Sequence, residues 1–167
     1  MSKLQAGDIF LFKGERGFSW LIAWGTNSLY SHCAICVSPK MNLAIEAIAG
    51  HGVRARDTRK VKKIDIYRVK EEYNYDLNKV ISFLVDKLNM KYDYLGVIYL
   101  GLLKLGGKIF PRLKVKANKW QKDRDYFCFE LCSEAFFKGG GLNIVPNVKF
   151  GITSGKDIAE SKMVMKI

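Results

Sequence analysis

Thiol chemistry is the first possibility the residues raise. Cys128, Leu131, Cys132, Ala135 and Phe136 recur at helical spacing, so Cys128 and Cys132 share one apolar stripe. The polar run Asp123-Arg124-Asp125 precedes the stripe and Gly139-Gly140-Gly141 ends it, which puts Cys128 at a helix start. Unpaired backbone N–H groups and the helix dipole favour a thiolate there. Position therefore makes Cys128 a candidate nucleophile, with simple burial in the core as the alternative. Cys132 lies ~6 Å further along the axis, packed and less activated. Cys33 and Cys36 have Cys-x-x-Cys spacing, but on a strand positions i and i+3 face opposite sides. They should converge on neither a metal nor a disulfide, and they read as small buried apolar residues.

A thiolate nucleophile needs a base, and the base an orienting group. The chain has two histidines, His32 and His51. His51, in Gly50-His51-Gly52, reads as a turn residue. His32 lies in an apolar run expected to be a strand, where an imidazole is commonly a satisfied core group. A hairpin turn centred on Lys40 would place Ala34 opposite Glu46, with His32 and Glu46 on one face a diagonal step apart. A slip of one residue would separate them. Other chemistries find no support. No His-Glu-x-x-His or Gly-x-Ser-x-Gly occurs, no metal ligand set is expected, and no cofactor is implied. Gly151-Ile152-Thr153-Ser154-Gly155-Lys156-Asp157 is too short between its glycines for a phosphate loop and has Asp where Ser or Thr belongs.

The elements that would hold these residues change period along the chain. Residues 8–13 alternate, with Ile9 and Leu11 on one face and Phe10 and Phe12 on the other. Residues 19–24 read as a short helix with a Ser cap and a Gly stop. Residues 31–38 and 43–48 form β-rich runs around Pro39-Lys40-Met41-Asn42, and 64–69 read as a further strand. Later the period is helical. Leu77, Val80, Ile81, Leu84 and Leu88 follow Asn74 or Asp76 as cap, and a second helix begins near Cys128. Strands first and helices later predict an α+β fold with an antiparallel sheet.

Length and composition are consistent with one domain over residues 1–167, with 49% apolar residues to fill its core. The N-terminal residues show no apolar signal-peptide core, and the longest apolar run, residues 94–103, falls short of a membrane span. The expected location is cytoplasmic, with peripheral membrane association left open. The net charge of +12 is concentrated in residues 54–70 and 104–124, each with eight Lys or Arg. Two basic stretches suggest an anionic partner, against a general solubility role. Were residues 112–116 extended, Arg112, Lys114 and Lys116 would form one exposed row that binds it.

Four segments together resemble the permuted papain-like cysteine hydrolases of the NlpC superfamily, the YiiX-like amidase branch related to lecithin:retinol acyltransferase. Gly7-Asp8-Ile9-Phe10-Leu11-Phe12 is similar to the opening strand. Residues 18–26, followed by Tyr30-Ser31-His32-Cys33-Ala34-Ile35, are similar to its short helix and catalytic-His strand. Ile45-Glu46-Ala47 resembles the strand of the acidic member, and Tyr126-Phe127-Cys128-Phe129-Glu130-Leu131 the nucleophile helix. The family usually has Ser where Phe129 stands, and Cys132-Ser133-Glu134 echoes the motif four residues late.

The resemblance implies a circularly permuted papain-like fold with the sheet packed on the Cys-bearing helix. It implies Cys128 as nucleophile, His32 as base and Glu46 as the orienting group. Tyr92, in Tyr92-Asp93-Tyr94-Leu95-Gly96, is similar to a Tyr that binds the oxyanion in the non-permuted relatives. The implied activity is cleavage of an amide or ester in a small peptide-like or lipid-linked substrate, as hydrolase or acyltransferase. The competing reading is a non-catalytic basic module on nucleic acid or an anionic membrane surface. Nucleic acid is the less expected partner, because a pure binder has no use for Cys, His and Glu in this arrangement.

Overall fold

The computed structural model describes residues 3–13, 27–60, 63–93 and 125–167. The expected helix at 19–24, the apolar run 94–103 and the basic stretch 104–124, with Arg112, Lys114 and Lys116, lie outside the described residues. Five strands come first: β1 (Ile9–Lys13), β2 (Tyr30–Ser38), β3 (Leu43–Ile48), β4 (Gly52–Asp57) and β5 (Ile64–Val69). Two short strands, β6 (Lys91–Tyr92) and β7 (Asp125–Tyr126), pair in parallel with Tyr92 opposite Tyr126. The last strand, β8 (Val164–Lys166), completes a six-stranded antiparallel sheet in the order β4-β3-β2-β1-β5-β8. The sequence period finds β1, β2, β3 and β5 to within a residue. β4 was not anticipated as an element.

Both faces of the sheet are buried at its centre. Ile9, Leu11, Cys33, Ile35, Ile45 and Ala47 belong to the main core, and Phe10, Ala34, Cys36 and Ala44 to a second cluster on the opposite face. Cys33 and Cys36 thus diverge as strand geometry requires. Tucked under the sheet edge, Asp8 receives Arg68 in a fork, with Nε to Oδ1 at 2.6 Å and Nη2 to Oδ2 at 2.8 Å. A planar guanidinium suits such a buried carboxylate.

Among the described residues, three α-helices pack on the main core. α1 (Leu77–Asp86) starts at Asp76, whose carboxylate accepts from the Lys79 N–H at 3.0 Å. α2 (Cys128–Glu134) begins at the expected residue and continues as a π-helical turn over Ala135–Gly139. All seven residues of α2 are buried, so it is a central helix and not the one-sided stripe the spacing predicts. Its Ser133 hydroxyl turns back onto the Phe129 and Glu130 carbonyls, which satisfies it inside the core. The triple glycine stops the helix and also lets α1 approach. A Cβ on Gly139 would sit 2.8 Å from the Lys79 carbonyl oxygen. α3 (Gly155–Ala159) carries a capping box, with Ser154 and Asp157 bonded reciprocally, which accounts for the Ser-Gly-Lys-Asp string. No described helix is long and apolar enough to cross a membrane.

Candidate active site

The site grows from the β2–β3 hairpin. Ala34 faces Glu46, Ile35 faces Ile45 and Cys36 faces Ala44, the register of a turn centred on Lys40. Alternation then puts His32 and Glu46 on one face, and His32 Nε2 lies 2.8 Å from Glu46 Oε2. The Phe12 ring packs against the imidazole at 5.0 Å between centroids, tilted by 46°. Phe12 is paired directly with His32 across β1 and β2, so the strand register fixes this buttress too.

Glu46 is fully buried, and the next strand holds its charge. β4 places Arg54 opposite Glu46 and Arg56 opposite Ala44, both on the Glu46 face. Arg54 Nε donates to Oε1 at 3.0 Å and Arg56 Nη1 to Oε2 at 2.8 Å. Burial pushes the Glu46 carboxyl upward, but His32 and Arg56 outweigh it and hold the group down to about 2. The two arginines belong to the basic stretch 54–70. Arg59 is likewise paired with Asp57, and Arg68 with Asp8. The four arginines of that stretch are thus ion-paired within the chain.

Cys128 comes to this group from the packed helix. β2 pairs with β3 only from Ala34 onward, so His32 and Cys33 lie beyond the paired part of the hairpin. α2 packs on both strands. Cys128, 5% exposed, interacts with the His32 imidazole, the Cys33 thiol and the Cys33 backbone N–H, although neighbouring strand side chains face opposite ways. Burial alone would raise the Cys128 thiol. The Cys33 hydrogen bonds and the cationic His32 outweigh it and hold the thiol well below the ordinary range. Burial works to lower His32, but Cys128 and Glu46 push it up to about 9. The two shifts run in the directions that favour a thiolate–imidazolium pair. Nε2 serves Glu46, so Nδ1 is the nitrogen left to exchange a proton with sulfur.

Tyr92 sits beside this helix start through the β6–β7 pair, two residues before Cys128 in register, and is 9% exposed. His51 is an exposed turn residue, as expected. Four residues of the site escape the sequence reading. Arg54 and Arg56 read only as charge, although their alternation with Val53 and Ala55 is visible. Cys33 reads as inert core, yet it lines one cavity with Cys128. Glu130, 1% exposed, has Oε2 without a hydrogen-bond partner among the described residues. Burial, then Glu134 and Asp93, push its carboxyl up to about 8.

No protein-family model and no curated protein matches the chain. Among solved structures, the crystal structure of the metalloprotein yiiX from Escherichia coli O157:H7, DUF1105, matches with a TM-score of 0.69. That match covers 99% of this chain and 97% of the other at 14% identity. Similarity of this extent at so low an identity is similarity of fold, and the chain has a YiiX-like fold.

Proposed function

We propose that this YiiX-like chain is a permuted papain-like thiol hydrolase or acyltransferase acting on an amide or ester carbonyl. The observation that carries the reading is the 2.8 Å hydrogen bond between His32 and Glu46, supported by the electrostatic interaction of the His32 imidazole with the Cys128 thiol. His32 precedes Cys128 in the chain, which is the order of the permuted members of the NlpC superfamily.

The chemistry divides into two halves. The Cys128 thiolate attacks the carbonyl carbon, and negative charge moves onto the carbonyl oxygen. Backbone N–H groups at the start of α2, where Phe127 offers no side-chain cap, can donate to that oxygen, and Tyr92, paired with Tyr126, is the side chain proposed to assist. The His32 imidazolium gives its proton to the departing amine or alcohol, leaving a thioester on Cys128. Neutral His32 then takes a proton from water, or from an acceptor amine or alcohol, as that group attacks the thioester. Glu46 stays ionised throughout and fixes the imidazole. The substrate class is a small peptide-like amide or a lipid-linked acyl group.

The solved neighbour is a metalloprotein. Among the described residues of this chain, no three His, Cys, Asp or Glu side chains come together as a ligand set. These residues do not fit an ion, and no step is routed through one.

Iodoacetamide labelling, read residue by residue, tests the proposal. Cys128 should be alkylated much faster than Cys33, Cys36 and Cys132, and Cys128→Ala should abolish turnover of peptide-amide and acyl-ester substrates. Uniform slow alkylation of all four cysteines would refute the thiolate. It would leave the basic-module reading as the survivor.

A further inference from the structure

We infer that Cys33 is a resolving thiol for Cys128: peroxide oxidation of Cys128 is followed by closure of a reversible Cys33–Cys128 disulfide that shuts the site. The inference rests on the thiolate reading above and adds a modification that hydrolysis does not need. Its basis is the sulfur cluster between sheet and helix. Cys33 projects from β2 onto the helix-bearing face and lines one small cavity together with Cys128 and Cys132. Leu84, Leu131, Ile35 and Ile45 close around the three sulfurs, so a sulfur oxidised there meets another thiol before solvent.

Geometry selects the pair. Cys128 and Cys132 are four residues apart on one helix, which sets their Cβ atoms about 5–6 Å apart. A disulfide needs about 3.5–4.5 Å, so the helix would have to distort. Cys36 is on the other face of the sheet, in a separate cluster. Cys33 and Cys128 come from different elements and face one another across their packing interface. Of the three sulfurs, Cys128 is the one beside a cation, so it is oxidised first.

The steps balance with hydrogen peroxide as the only added reagent. The Cys128 thiolate attacks one peroxide oxygen, the O–O bond breaks, and Cys128 becomes a sulfenic acid. The departing hydroxide takes the proton of the His32 imidazolium and leaves as water. The Cys33 sulfur then attacks the sulfenic sulfur, and the hydroxyl departs with the Cys33 proton as a second water. Two thiols are oxidised by two electrons and one peroxide is reduced.

The experiment uses the intact protein and hydrogen peroxide. After treatment, free thiols are capped under denaturing conditions and peptides are mapped by mass spectrometry. The expected result is a peptide linking Cys33 to Cys128, a loss of two hydrogens from the intact chain, and Cys128 alkylation that disappears and returns on reduction. In Cys33→Ser the same treatment should drive Cys128 to sulfinic acid, which a thiol reductant does not reverse. A Cys128–Cys132 link, or sulfinic Cys128 in the unaltered protein, overturns the inference without any variant. Fast Cys128 alkylation with no Cys33 link removes the switch and leaves the hydrolase. The link without fast alkylation supports the switch and counts against the hydrolase.

Discussion

Glu46 is the residue on which the pH behaviour of the site turns. Held down to about 2, it remains charged while His32, pushed up to about 9, remains protonated. Turnover should therefore rise with pH as Cys128 ionises and fall as His32 loses its proton near pH 9, a bell read directly from a pH–rate profile. Glu46→Gln removes the charge and keeps the shape. His32 should then titrate lower, the Cys128 alkylation inflection should move to higher pH, and turnover should fall by about 10²-fold or more. The same shifts predict stability. The His32 contribution is complete below its ordinary 6.5 and is lost as pH rises through about 9. The Glu46 contribution is present above 4.5 and is lost as pH falls through about 2. Glu130 has the opposite sign from Glu46, because its carboxyl is raised to about 8. It erodes stability as pH climbs from 4.5 through 8. Glu130→Gln should flatten that decline and stabilise the protein at pH 8 by on the order of a few kcal/mol, read as a higher melting temperature.

At the scale of elements, the junction of α3, β2 and α2 is the tightest constraint on the site. A Cβ on Gly155 would stand 2.5 Å from the Tyr30 Cβ and 3.1 Å from the Phe129 ring. Tyr30 begins the strand of His32, and Phe129 follows Cys128. Gly155→Ala should thus cost about 1–3 kcal/mol in thermal unfolding and also lower turnover, since relief of the clash parts the two elements. The hairpin that joins His32 to Glu46 was legible because a turn at Lys40 and a period of two dictate a register. The start of α2 was legible because its stripe and glycine stop bracket it. That the β2–β3 pairing ends before His32 was not legible, because no pattern shows where a ladder stops. Arg54 and Arg56 illustrate a different failure. Their strand obeys the same alternation, with a turn at Gly50 setting Arg54 against Glu46, but a dense charge run masks a period of two.

The whole molecule carries +12, and the arginines at 54, 56, 59 and 68 are spent on Glu46, Asp57 and Asp8. Residues 104–124, with eight Lys and Arg, are the stretch in which to test capture of anionic surfaces. Arg112, Lys114 and Lys116 changed together to Gln should weaken binding to phosphatidylglycerol vesicles, with the unaltered protein released as salt rises. Hydrolysis of a small soluble substrate should be unaffected.

The β6–β7 pair has a bearing on how this scaffold could be re-engineered. It fixes Tyr92 beside Tyr126, so residues 94–124 depart and return one strand spacing apart, about 4.8 Å. A replacement cassette for the intervening sequence would therefore join ends that are already docked. Parallel neighbours need a connection of about a dozen residues, which sets the minimum length of any replacement. Shortening the 31 residues to that minimum changes loop-closure entropy by less than about 1 kcal/mol. A chimera with a neutral cassette of that length should keep fast alkylation of Cys128 while losing vesicle binding, so that reactivity and targeting become separable parts.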